Sequence, residues 1–190
     1  MAQVAVLGGG GTGCYIAAEL TLRGYSVNLY EEKAYWSENI DGILRRGGVK
    51  MTGLGLNGFA NWYQIQAQEE RDHALLMLQY LQNNDAKVAL EAIAQPDAVL
   101  KENMDPLKAG LAHEQYVTGL IHTIYEAAYA ARDFRTMQFL DWFVKEQGEE
   151  EKNAADLIKK MELFGSEKKG LYMLDQELAA RVYAAPSLTL

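Results

Sequence analysis

Gln66-Ala67-Gln68-Glu69-Glu70-Arg71-Asp72-His73-Ala74 lies in the middle of a stretch, Gly58 to about Asn83, with no proline and no glycine after its start. Phe59, Trp62, Ile65, Leu75, Leu78 and Leu81 recur there at helical spacings, which predicts one long helix. Glu70 and His73 are three residues apart, and residues i and i+3 share a helix face. A carboxylate and an imidazole so placed can bind one metal ion. Alone, the spacing is also common on solvated helix faces.

The residues downstream extend the helical pattern. Asn84–Pro106 reads as a long connection containing Pro96 and Pro106, with room for a short element at Val88–Ile93. Leu107–Arg132 reads as a second long helix, with Leu111, Val117, Ile121, Ile124 and Tyr125 apolar. After a break at Asp133, Phe134–Phe164 reads as a third, carrying Met137, Leu140, Phe143, Val144, Leu157, Ile158 and Met161. Gly165 is placed to end it, and a short last helix runs from Leu171 to about Tyr183. Long helices joined by one long crossover suit a helical bundle.

Each long helix brings acids. Glu114 follows His113 early in the second, and Glu146, Glu149 and Glu150 stand at i, i+3 and i+4 in the third. Oxygen-rich ligation with a histidine suits iron, and Glu-x-x-His is the device of di-iron bundles. The plain alternative for Glu146–Glu151 is a solvated charge run. Buried carboxylates are costly unless paired or metal-bound, so three acids on core faces would need a reason.

Charge divides the chain in two. Its 190 residues carry a net −8, which argues against nucleic acid as a partner. Residues 1–55 hold five basic and five acidic residues, so the whole excess lies in the helical remainder. Twelve of the 17 glycines fall at or before Gly58. The lone Cys14 excludes an internal disulfide. No apolar run reaches membrane-spanning length, so no membrane partner is expected. The opening residues lack the basic start of a secretory signal, and the expected compartment is the cytoplasm.

The neutral segment has its own pattern. Val4-Ala5-Val6-Leu7 reads as a strand, followed at once by Gly8, Gly10 and Gly13 in the spacing G-x-G-x-x-G. Cys14–Arg23 reads as a helix, Ser26–Tyr30 as a second strand, and Glu31 stands at its end. That order is what a dinucleotide fingerprint needs: glycines admit the pyrophosphate, the helix N-terminus binds it, and the acid accepts from a ribose hydroxyl. The stretch resembles the start of opine-dehydrogenase-type NAD(P)-binding domains. That resemblance implies NAD(P) as cofactor, through Gly8, Gly10, Gly13 and Glu31. The pattern then stops, after one further helix (Lys33–Arg46) and one strand (Gly48–Thr52), short of a full nucleotide-binding sheet.

The remainder is similar to prokaryotic non-haem ferritins from about Leu56 to about Leu178. Leu56–Trp62 and Gln66–Ala74 resemble their second helix, and His113-Glu114-Gln115 their third. Phe139–Gln147 with Glu149–Lys152 resembles the fourth, and Gly170–Leu178 the short fifth. The resemblance implies a ferroxidase centre. In it Glu70 bridges two irons, His73 binds the first, and Glu114 the second. Gln147 and Glu150 lie beside the second iron, and Glu69, Glu146 and Glu149 form a third iron site. It implies Fe²⁺ and O₂ or peroxide as reactants, ferric storage, and a homo-oligomer, the 24-subunit cage. No methionine can be assigned as a haem ligand.

One family element has no match. Ferritins begin with a helix that supplies a further iron-binding glutamate and a tyrosine, and here the glycine-rich segment takes its place. The missing glutamate should fall near Ser37, where Ser37–Gly42 does not resemble the family pattern. The expected fold is therefore mostly α. Residues 56–190 form a ferritin-like helical bundle lacking its usual first helix, after a partial Rossmann-like βαβ segment at residues 1–55. Three accounts of the junction stand open: a mosaic with a damaged bundle, a true fusion, or an N-terminal segment refolded as the missing helix. The expected function is iron storage and ferroxidase activity, impaired in the first case. The alternative is an NAD(P)-binding oxidoreductase fragment.

Overall fold

The computed structural model describes residues 3–7, 26–30, 51, 53–88 and 100–190. Two strands come first, β1 (Gln3–Leu7) and β2 (Ser26–Tyr30). They pair in parallel, Gln3 opposite Ser26 and Leu7 opposite Tyr30. Parallel neighbours need a crossover of roughly a dozen residues or more, and residues 8–25 are long enough to provide it. Gly8, Gly10, Gly13, the Cys14–Arg23 helix, Glu31 and the Lys33–Arg46 helix lie outside the described residues. The strand expected at Gly48–Thr52 is corrected at Met51, which is helical and fully buried, its carbonyl accepting from Leu54 and Leu56 N–H.

Among the described residues four helices follow: α1 (Asn57–Asn83), α2 (Asp105–Ala131), α3 (Phe134–Phe164) and α4 (Lys168–Ala179). The α2 helix starts before Pro106, because a proline in the first turn forfeits no hydrogen bond. It closes on Arg132 in a left-handed conformation (φ 58°), and the Asp133 carboxylate then accepts from Thr136 N–H at 3.1 Å to open α3. So short a link makes α2 and α3 antiparallel neighbours.

Cross-helix contacts fix the remaining directions. Gln66 meets Glu150 and Tyr80 meets Thr136, so α1 is antiparallel to α3. Glu114 meets Gln147 and Tyr125 meets Asp141, so α2 is antiparallel to α3 as well. Thus α1 and α2 run the same way. The end of α1 and the start of α2 therefore lie about a helix length of ~40 Å apart, within the ~70 Å extended reach of 21 residues. No helix of the described residues is long and apolar enough to cross a membrane.

Helix α4 docks on the start of α1, which has no local side-chain cap. The Asp175 carboxylate supplies one from 117 residues away, accepting from Gly58 N–H at 2.8 Å and from Phe59 N–H at 3.1 Å. In return Asn61 Nδ2 donates to the carbonyls of Leu178 and Arg181. A Cβ on Gly58 would stand 1.7 Å from the Asp175 carbonyl oxygen, so only glycine permits this approach. The last helix ends at Ala179, not near Tyr183. Beyond it Arg181 and Tyr183 turn aside to bond Glu69 and Asp72 on α1.

The bundle interior has three levels. One apolar cluster joins Met77, Tyr80 and Leu81 of α1 to Val117, Ile121 and Ile124 of α2 and to Phe139, Leu140 and Phe143 of α3. A second joins Met51, Phe59, Tyr63, Leu107, Leu157, Met161, Leu174 and Leu178. Between them every helix of the three turns a polar side chain inward. Two expected core residues are corrected: Leu75 is 45% exposed and Val144 37%. The inward stripe of α1 runs instead through Phe59, Tyr63, Gln66, Glu70, His73, Met77 and Tyr80. Its centre is polar, so hydrophobicity alone misplaces the face.

Candidate metal centre

The polar level is built from Gln66, Glu70 and His73 on α1, His113 and Glu114 on α2, and Gln147 and Glu150 on α3, all buried. Each follows the inward face set by the apolar turns above and below it. Glu70 is 1% exposed. Its Oε1 lies 3.4 Å from Gln66 Nε2. Its Oε2 lies 3.5 Å from His73 Nδ1 and accepts no hydrogen bond. Gln66 Nε2 also donates to Glu150 Oε2 at 2.7 Å, standing between the two acids. On the α2 side Gln147 Nε2 donates to Glu114 Oε2 at 3.3 Å and to the Glu114 carbonyl at 3.1 Å.

This arrangement is electrostatically unfavourable for carboxylates. Burial pushes Glu70 well above the usual carboxyl range, and Glu150, Glu69 and Glu146 add like-charge repulsion. Burial does the same to Glu114, reinforced by Glu70 and Glu150. Glu150 is raised by burial against the opposing Gln66 amide. His73 is lowered by burial, and burial pushes His113 down to about 3. Three acids from three helices thus face one another with neutral imidazoles and amides as neighbours. Protons or a cation must neutralise them, and a lone pair on Glu70 Oε2 points at no donor.

Among the described residues no three His, Cys, Asp or Glu side chains converge as a ready-made metal cage. The two amides explain this: Gln66 holds Glu70 and Glu150 apart, and Gln147 engages Glu114.

Outside this level, Glu69 and Glu146 are half-buried and Glu149 is exposed. His73 Nε2 lies 3.9 Å from Glu146 Oε1, which ties the outer acids to the inner set. Arg181 bonds Gln66 Oε1 at 2.9 Å and pairs with Glu69. Lys145 pairs with Glu149 at 3.1 Å. Of the predicted residues, Glu70, His73, Glu114, Gln147 and Glu150 share the buried level, and Glu69 and Glu146 flank it. Glu149 is turned to solvent on the same side. Gln66 and Arg181 were given no role from the sequence. Gln66 stands one turn before Glu70, a spacing that could have flagged it, whereas Arg181 arrives from a distant segment with no local signal.

Residues 49–164 match the family described as the ferritin-like domain. The bacterial non-heme ferritin of Campylobacter jejuni is 34% identical over 153 residues, spanning 80% of this chain and 83% of that protein. That of Staphylococcus haemolyticus is 36% identical over 126 residues, spanning 66% and 76%. A form of Archaeoglobus fulgidus ferritin engineered to be closed superposes with a TM-score of 0.72 at 34% identity, over 75% of this chain and 87% of that one. The open-pore ferritin of the same archaeon gives 0.68 at 32% identity, over 75% and 97%. With the polar level, the parallel α1 and α2, and the docked α4, these likenesses agree: the chain belongs to the ferritin family.

Proposed function

We propose that the protein takes up Fe²⁺, oxidises it at the buried acids, and stores the ferric product. The observation that supports this reading is the burial of Glu70, Glu114 and Glu150, from three helices, at one level of the bundle. In it Glu70 bridges two iron ions, His73 holds the first, and Glu114 holds the second, with Gln147 and Glu150 beside it. Carboxylates are hard, anionic ligands, so they favour Fe³⁺ over Fe²⁺. Two Fe²⁺ ions give up one electron each. An O₂ molecule accepts both with two protons and leaves as H₂O₂. Incoming iron competes with protons, which burial makes Glu70 and Glu114 hold more tightly.

Among the described residues the first iron has only Glu70 and His73 as ligands. We assign it weaker binding than the second, and turnover slower than in ferritins with a complete first helix. The relatives are named non-heme ferritins, which supports iron rather than NAD(P) as the ligand. The same reading treats residues 56–190 as the bundle unit, places the protein in the cytoplasm, and makes the assembly a cage. Its particle would measure near half a megadalton, as 24 copies of a 21.2 kDa chain require.

The test is aerobic Fe²⁺ oxidation followed by ferric absorbance. Oxidation above the buffer rate, abolished by Glu70→Ala, is expected. A wild-type rate equal to that of buffer would overturn the reading.

A further inference from the structure

Beyond α4 the chain does not wander into solvent. It leaves Ala180 and runs over α1 towards α3. Asn61 Nδ2 holds the Arg181 carbonyl at 3.0 Å, and the Arg181 guanidinium bonds Gln66 and Glu69. Tyr183 Oη donates to Asp72 at 2.5 Å, and the Ala184 backbone bonds Glu69. Trp142 Nε1 donates to Ser187 Oγ at 2.9 Å, and Leu188 packs on the upper apolar cluster. Both ends are therefore tied down. Between them the segment roofs a cavity of about 270 Å³ whose other wall carries Glu69, His73, Glu146, Glu149 and Glu150.

We propose that residues 181–188 form a strap over the outer acids, with Arg181 as a tethered cation that an incoming metal ion must displace from Glu69. The inference rests on the reading of these acids as iron ligands and adds a control on their outermost member. A guanidinium satisfies a carboxylate with directed, charge-assisted bonds. The guanidinium therefore occupies Glu69 Oε2, and a metal ion on the same carboxylate would stand against its charge. Displacing Arg181 also frees Gln66 Oε1, and Gln66 is the residue that stands between Glu70 and Glu150. Filling the outer position thus loosens the amide that separates the inner acids. Ala184, Ala185 and Pro186 offer no side-chain ligand, so the strap competes for the site without completing it.

Zn²⁺, a redox-inert probe, tests this by calorimetric titration of the full-length chain. The outer event is assigned as the one lost in Glu146→Ala, and the inner event as the one lost in Glu70→Ala. Arg181→Ala should bind Zn²⁺ at the outer position roughly tenfold more tightly, and Arg181→Lys should fall between. In the unmutated protein, the backbone amides of residues 182–185, 187 and 188 should exchange with deuterium faster when Zn²⁺ is saturating. That readout needs no variant to fold. Unchanged outer affinity in Arg181→Ala, or unchanged exchange on zinc loading, with the inner event intact, overturns the strap alone. Absence of any inner event sensitive to Glu70 overturns both the strap and the metal-centre reading.

Discussion

Gln66 on α1 donates its side-chain amide to Glu150 on α3 across 2.7 Å, and the same nitrogen reaches toward Glu70. One neutral donor therefore serves two buried acids. Gln66→Ala should leave both without it and destabilise the metal-free protein by about 1–3 kcal/mol, the usual cost of an unsatisfied buried polar group. Saturating Zn²⁺ should recover most of the loss, because an ion satisfies the same oxygens. Thermal melts with and without zinc decide this; equal losses in both would contradict it.

The raised carboxyls predict a pH dependence with a definite sign. Glu70 and Glu114 hold their protons to higher pH when folded than when unfolded. Over that interval the folded state binds more protons, so stability falls as pH rises. His73 and His113 act oppositely below the ordinary histidine value of 6.5, where the unfolded chain takes up protons that the folded one refuses. The two trends oppose each other on the acid side. Above about pH 6.5 only the carboxyl trend remains, and denaturation midpoints of metal-free protein should decline. In Glu70→Gln/Glu114→Gln the decline should flatten, and the variant should melt higher than wild type at pH 8 while losing iron oxidation.

Metal binding should release protons. Zinc or Fe²⁺ ligates the ionised carboxylate, and burial makes Glu70 and Glu114 hold their protons more tightly than exposed acids do, so metal competes with protons there. Anaerobic calorimetry in two buffers of different ionisation enthalpy measures the number. Release should exceed zero in wild type and drop in Glu114→Gln. Zinc at about 100 times its Kd should raise stability by about 2.7 kcal/mol.

Gly58→Ala should detach α4. The added methyl would meet the Asp175 carbonyl oxygen at 1.7 Å, and backbone cannot yield that far. A loss of about 3 kcal/mol or more is expected. Asp175→Ala, which only removes the distant cap, should cost about 1–2 kcal/mol. Circular dichroism melts rank the two; Gly58→Ala milder than Asp175→Ala would refute the docking argument.

The third long helix was legible because its ends carry local signals. Asp133 and Gly165 mark α3, whose limits agree with the sequence reading. The strands Gln3–Leu7 and Ser26–Tyr30 lie where strands were read, at Val4–Leu7 and Ser26–Tyr30. The inward face of α1 was less so. Leu75 and Leu78 drew the stripe toward solvent, whereas Gln66, Glu70 and His73 occupy the core positions that an apolar pattern would assign to leucine. The tail was illegible because Arg181 and Tyr183 are held by partners 115 and 111 residues away. Nothing near them in the chain distinguishes that path from one more helical turn.

The layered interior has a consequence for alignment of the helices along their axes. Apolar bundles tolerate sliding, since one leucine replaces another after a turn. Here a one-turn slip of α3 would carry Glu150 away from Gln66 and into contact with the aromatic and aliphatic levels. Carboxylates moved there would have no donor at all, at a cost of several kcal/mol each. The acids that weaken the empty bundle thus act as a vernier. They allow one setting of the three helices, the one in which Gln66 and Gln147 meet them.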